Sequence, residues 1–168
     1  MRKTHNAILK IARLGMFLAF GVILNFAESY IALPMIAPGV KLGLANTVGL
    51  IVLYYFSEKE FVAVGFLRII LTALFTGFGY NFFISLAGWF LSSLLVVLLV
   101  QFKNLSIFGL SMVSAVSHGL GQIIMVSILY ESRYMLNYLP VLSFAGIVTG
   151  LAIAFVAREA LKRIVINE

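Results

Sequence analysis

Five polar side chains, Asn25, Glu28, Arg68, His118 and Gln122, interrupt runs of sequence that are otherwise apolar. In apolar surroundings such groups cost free energy unless they are paired or wetted, so each marks a candidate site. Arg68 lies about eight residues into its run, roughly 12 Å along a helix. There it must face a protein interior and meet an anion, a cluster of carbonyls or Glu28. Structural stapling of helices and snorkelling to an interface are the plainer readings. Asn25 and Glu28 are three apart and share one helix face. Glu28 can bind a cationic group, accept a proton or pair with Lys41. His118 and Gln122, one turn apart, suit either hydrogen-bonded packing or the polar floor of a ligand cavity. With no second buried His at hand, a metal site is not expected.

A sixth candidate is a loop. Pro38-Gly39-Val40-Lys41-Leu42-Gly43-Leu44-Ala45-Asn46 leads into a helix, with Lys41 near the helix start and Asn46 in its first turns. Backbone N–H groups at a helix start favour anions, so Lys41 and this end could hold a phosphate or carboxylate. Asn81, beside Tyr80, joins the candidates. With Trp89, Tyr130 and Tyr134 this pair reads either as interface anchoring or as ligand wall.

The elements that must position these residues are membrane helices. Of 168 residues 62% are hydrophobic and 11% charged. Soluble domains are nearer half apolar and a quarter charged, and a chain this short has nowhere to hide the excess from water. Six apolar segments run roughly Ala12–Ala32, Leu42–Phe56, Phe61–Gly77, Phe82–Phe102, Ile107–Tyr130 and Tyr138–Ala157. The second and third are short for a span. The N-terminal run is expected to be retained as a first helix, because it outlasts a signal peptide and lacks a clear cleavage site. The fold expected is all-α, one polytopic domain over 1–168 with a basic arm at 1–11 and a basic tail at 158–168.

Charge sets the orientation. Arg2, Lys3, Lys10, Arg13, Lys59, Lys103, Arg158, Lys162 and Arg163 fall on one side of a six-span arrangement, and Lys41 and Arg133 on the other. Basic residues favour the cytoplasmic side, so both termini are expected there. The net charge of +6 is thereby assigned to topology and not to nucleic acid. Small residues recur at helical spacing: Ser111, Ala115 and Gly119; Gly146, Gly150 and Ala154; Gly15 and Ala19. Such faces let helices approach closely in lipid.

Enzyme signatures are missing. There is no phosphate loop of the GxxxxGK[ST] type, and Gly77-Phe78-Gly79 lacks the strand and third glycine of a dinucleotide site. The chain has no Cys, and all six acids are Glu. Without Asp it has no Asp-rich motif to hold catalytic Mg²⁺, and with one intramembrane His and no Cys neither haem nor an iron–sulfur cluster is expected. No cofactor is expected.

The Pro38–Asn46 run, the Arg68 segment, Ser85-Leu86-Ala87-Gly88, Ser117-His118-Gly119-Leu120-Gly121-Gln122 and Leu139-Pro140 with Gly146 and Gly150 resemble the bacterial Gx transporter family. That family is also labelled heptaprenyl diphosphate synthase component I. It is similar to the substrate-binding S components of energy-coupling-factor (ECF) vitamin transporters, which have six helices and both ends inside. The resemblance implies a multi-pass protein of the bacterial cytoplasmic membrane that captures a small molecule from the outer face. It implies as partners a transmembrane coupling subunit and two ATPases. It also implies docking through a small-residue face of the first helix, where Gly15-Met16-Phe17-Leu18-Ala19 has Gly for the family's first Ala. Ligand residues would be Asn25, Glu28, Lys41, Asn46, Asn81, His118 and Gln122, with Arg68 supporting from below. The cavity would lie between the Pro34–Lys41 loop and the outer halves of the first, fourth, fifth and sixth helices. The rival is a non-transporting membrane subunit of a flavin- or quinone-linked electron-transfer or isoprenoid pathway; a bare scaffold is the third reading.

Overall fold

Apolar runs bounded by serine caps set where the helices begin. Ser57 accepts a hydrogen bond from the Lys59 N–H at 3.3 Å, a side-chain cap that starts one helix, and its hydroxyl donates to the Glu60 carboxylate. Ser106 accepts from the Gly109 N–H at 3.2 Å and starts another. The structure, a computed structural model, describes residues 2–31, 43–102 and 105–166. These form α1 (Arg2–Ile31), α2 (Asn46–Tyr55), α3 (Glu58–Thr76), α4 (Tyr80–Val100), α5 (Ile107–Leu129) and α6 (Leu139–Ile166). A short 3-10 helix, Arg133–Tyr138, leads into α6. No strand occurs among the described residues, as an all-α fold requires.

Among the described residues four segments are long and apolar enough to cross a membrane: Thr4–Glu28, Tyr80–Val100, Ile107–Leu129 and Arg133–Ile164. The other two helices fall short for identifiable reasons. At about 1.5 Å per residue α2 spans only about 15 Å, and α3 carries Glu58, Lys59, Glu60 and Arg68. The outer surface bears Ile11, Phe20, Phe75, Phe90, Phe144 and Phe155, all well exposed. Water would penalise that much open apolar surface, whereas lipid accepts it. This is a membrane protein.

Successive helices alternate in direction, and contacts between their ends show it. Lys10 of α1 pairs with Glu60 at the start of α3. The Arg13 guanidinium donates to the Tyr55 hydroxyl at 2.5 Å, where α2 ends. Arg158 of α6 stacks over Phe108 of α5, 5.8 Å from the ring centre. At the other end Tyr80 and Tyr130 meet ring to ring at 5.8 Å.

α4, α5 and α6 are held by the small-residue faces. A β-carbon on Gly121 would lie 2.5 Å from the Ala87 carbonyl oxygen, one on Gly150 2.8 Å from Met112 Cα, and one on Gly146 3.1 Å from Val116 Cα. Ser111 donates to the Gly150 carbonyl at 2.8 Å. Gly15 and Ala19 differ: both are exposed, and nothing lies within 4 Å of where a Gly15 β-carbon would sit. Apolar clusters cap the two ends of the interior. One, around Val52, Val96, Leu110 and Ala154, fills the end that bears the basic residues; the other is built of Ile84, Ile123, Val126 and Leu142.

Candidate functional site

Polar residues of α1, α2 and α3 converge. Asn25 donates through Nδ2 to Thr72 Oγ1 at 3.2 Å, and Thr72 in turn donates to the Arg68 carbonyl at 2.8 Å. A hydroxyl bonded back to its own helix needs no other acceptor, which lets Thr72 receive Asn25. Arg68 reaches α2, donating from Nη2 to Asn46 Oδ1 at 3.3 Å. Glu28, on the same α1 face as Asn25, accepts the Gly43 N–H and attracts Arg68. All three of Asn25, Glu28 and Arg68 are buried.

Two glycines make this arrangement possible. Gly21 faces Arg68, and a β-carbon there would come 3.2 Å from Arg68 Cδ. Gly43 has a φ of +89°, a backbone conformation open to glycine, and its carbonyl accepts the Asn46 N–H at 2.8 Å to start α2. A β-carbon at Gly43 would meet Asn46 Nδ2 at 2.8 Å. Gly43–Asn46, the described end of that motif, thus delivers Asn46 to Arg68 by way of a glycine turn.

Small cavities flank the group. One of about 20 Å³ is lined by Asn25, Thr72, Asn81 and Ser85 among others, so Asn81, itself exposed, borders the same region. A second of about 20 Å³ lies between Asn46, Arg68, Trp89 and Ser93. A third, of about 10 Å³, reaches Ser111 and Ser114. His118 and Gln122 are buried at the α4–α5 seam. Gly88 makes room for both: its β-carbon would lie 2.8 Å from Gln122 Cγ and 2.9 Å from His118 Cε1. Gln122 is wholly buried, and neither its amide nitrogen nor its oxygen finds a partner among the described residues. Ser92 and Ser114, 3.5 Å apart, tie α4 to α5 one turn away.

Of the expected site residues, Asn25, Glu28, Asn46, Arg68 and Asn81 are brought together and His118 and Gln122 pack against α4. Lys41 and the Pro34–Lys41 loop lie outside the described residues. Thr72, Ser92, Ser93 and Ser114 belong to the polar interior too. Sequence offered little sign of them, since short hydroxyls in apolar helices mostly bond their own backbone.

A different surface opens between α1, α2 and α6. A groove of about 490 Å³ is lined by Met16, Phe17, Phe20, Ile51 and Ile164, with Arg13 and Tyr55 supplying its polar edge. The interior site is small and polar; this groove is large and apolar.

A family model described as "Heptaprenyl diphosphate synthase component I" matches residues 17–160. No curated protein and no solved structure matches the chain.

Proposed function

The chain belongs to the heptaprenyl diphosphate synthase component I family, and from that premise we propose that it is a membrane-embedded, non-catalytic subunit that binds a small molecule from the outer face for an ECF-type uptake complex. Its six helices alternate across the cytoplasmic membrane with both ends inside, α2 traversing only part of the bilayer. Support for that topology comes from the alternation of the helices and from Lys10, Arg13 and Arg158 meeting at one end of the bundle.

One observation carries the functional reading: the buried Asn25, Glu28 and Arg68 and the half-buried Asn46, from three helices, converge beside the Gly43 turn. Scaffold helices in lipid need no such group, since small-residue packing already holds α4, α5 and α6. A polar cluster at membrane depth is worth its desolvation cost where it receives a ligand. Asn25, Glu28, Lys41, Asn46 and Asn81 would contact the small molecule, His118 and Gln122 would form its floor, and Arg68 would brace Asn46 from below. The exposed Gly15–Ala19 face of α1 would dock the transmembrane coupling subunit, with ATPases beyond it.

The test is binding. Purified protein is screened by thermal shift against pooled water-soluble metabolites, and each hit is repeated with Asn25→Ala and His118→Ala. Saturable stabilisation weakened in both variants supports the site; a hit unaffected by either places the ligand elsewhere and overturns the assignment.

The groove between α1, α2 and α6 favours a second reading. Its apolar lining and Arg13 edge suit an amphiphile with an anionic head, such as a prenyl diphosphate. The chain would then hold a lipid-like substrate for a synthase partner that supplies the Mg²⁺-binding carboxylates this sequence lacks.

A further inference from the structure

The groove between α1, α2 and α6 has a cause in the sequence. α2 is only 10 residues long, and α1 and α6 both pack on it. Val48, Ile51 and Tyr55 share one face of α2 and form the floor. Arg13, Met16, Phe17 and Phe20 share one face of α1 and form a wall, with Ala160 and Ile164 of α6 opposite. Met16 and Phe20 are 72% and 62% exposed, so the groove opens on the surface that faces lipid.

Direction and depth suit a lipid chain. Along α1 the groove runs from Arg13 to Phe20, about 10 Å, which fits within the roughly 15 Å of hydrocarbon in one leaflet. Its mouth is level with Tyr55, where α2 ends, at the end of the bundle that bears the basic residues. An acyl chain lies in the same direction. An empty recess would forfeit the contacts of its walls, so the surrounding lipid has reason to enter.

Charge then selects the head. Among the described residues Arg13 is the one cation that lines the groove, and no carboxylate lines it. Tyr55 fixes the guanidinium twice, accepting its hydrogen bond at 2.5 Å and placing its ring centre 5.8 Å away. Glu60 and Glu159, at the same end, are paired with Lys10 and Lys162 instead. A zwitterionic head would bring an ammonium to a groove that offers it no anion. A phosphodiester suits a guanidinium, and one guanidinium answers its single charge better than the several charges of a diphosphate.

We propose that the groove holds an acyl chain of one anionic phospholipid, from the leaflet on the basic side, with its phosphate on Arg13. The lipid fills the gap between α1 and α6 and completes the packing over α2. This places a structural lipid where the second functional reading places a substrate, and it is independent of the small-molecule site.

Purified, delipidated full-length protein is read by native mass spectrometry while phosphatidylglycerol or phosphatidylcholine with the same chains is titrated in. The expected result is one phosphatidylglycerol held about tenfold more tightly than phosphatidylcholine, the value of one hydrogen bond to a charged group. Arg13→Gln, a change at an exposed side chain, should lower phosphatidylglycerol to the level of phosphatidylcholine. Met16→Trp, at an exposed wall position, should weaken both lipids by filling the groove. Equal retention of the two lipids by the unaltered protein would overturn the proposal. So would tight phosphatidylglycerol that neither variant loosens, which locates the lipid at another basic surface. Farnesyl diphosphate that binds more tightly than phosphatidylglycerol and displaces it would overturn it in favour of a prenyl substrate.

Discussion

The two halves of this bundle are held mainly by different means. On the α4–α5–α6 side helices touch backbone to backbone, at Gly121 against Ala87 and Gly150 against Met112. On the α1–α2–α3 side they meet through side chains, Asn25 on Thr72 and Arg68 on Asn46, with Glu28 on the Gly43 turn. In lipid there is no hydrophobic drive between helices, and close packing is the cheaper adhesive. Hydrogen bonds between buried polar groups add about 0.6 kcal/mol each on average, and burying a charge costs more than that. A half built from polar crossings is therefore built for something besides cohesion. The comparison teaches a division of labour: one half coheres mainly by close packing, the other through polar side-chain crossings.

Substitutions can break or sharpen that division. The largest effect is expected at Arg68→Ala, which removes a buried cation that attracts Glu28 and takes from Asn46 Oδ1 the Arg68 hydrogen bond. Removing one partner of a buried charge pair costs about 3–5 kcal/mol, read as a large fall in the melting temperature in detergent. Arg68→Lys should recover part of it. Next comes Gly121→Ala, whose new methyl would collide with the Ala87 carbonyl; overpacking of this kind costs about 1–3 kcal/mol. If the division is right, this variant loses stability and keeps ligand affinity in whatever remains folded. Asn25→Ala should show the reverse, about 0.6–1 kcal/mol of stability and a much larger proportional loss of ligand binding by calorimetry.

The smallest expected effects lie at the basic end. The hydrogen bond from Lys10, helped by that from Ser57, holds the Glu60 carboxyl down at about 2. A depressed carboxylate pKa contributes stability above the unfolded value of 4.5 and loses it as pH falls through about 2. Melting temperature should thus be insensitive to this pair from pH 8 to 5 and fall in acid, with Glu60→Gln removing that portion of the fall. The pair lies at the surface, so its share is under about 1 kcal/mol. Gly15→Leu should leave stability unchanged, because the Gly15 face is open, and should abolish recovery of a coupling partner.

Much of this was legible in the sequence because hydropathy reports the lipid slab. Ile107–Tyr130 was expected and Ile107–Leu129 is observed; Phe82–Phe102 became Tyr80–Val100. The first helix was misjudged at its start. It was expected from Ala12 but begins at Arg2, since a helix continues into water on polar residues that hydropathy discounts. Asn25, Glu28 and Arg68 announced themselves because polar groups at depth are rare. Thr72, Ser92, Ser93 and Ser114 did not, as Thr72 shows by bonding its own Arg68 carbonyl. Gly21 and Gly65 were invisible for another reason: what matters there is the neighbour they admit, Arg68 for one and Trp89 for the other.

The measurement that bears most directly on the central claim is mass spectrometry of the protein extracted gently from its native membrane, reading partners and bound small molecules together. The expected result is a transmembrane coupling subunit with two ATPases and a water-soluble metabolite that dissociates on Asn25→Ala. Copurification of a prenyl synthase or of flavin- or quinone-handling proteins without ATPases, with only lipid bound, would contradict it.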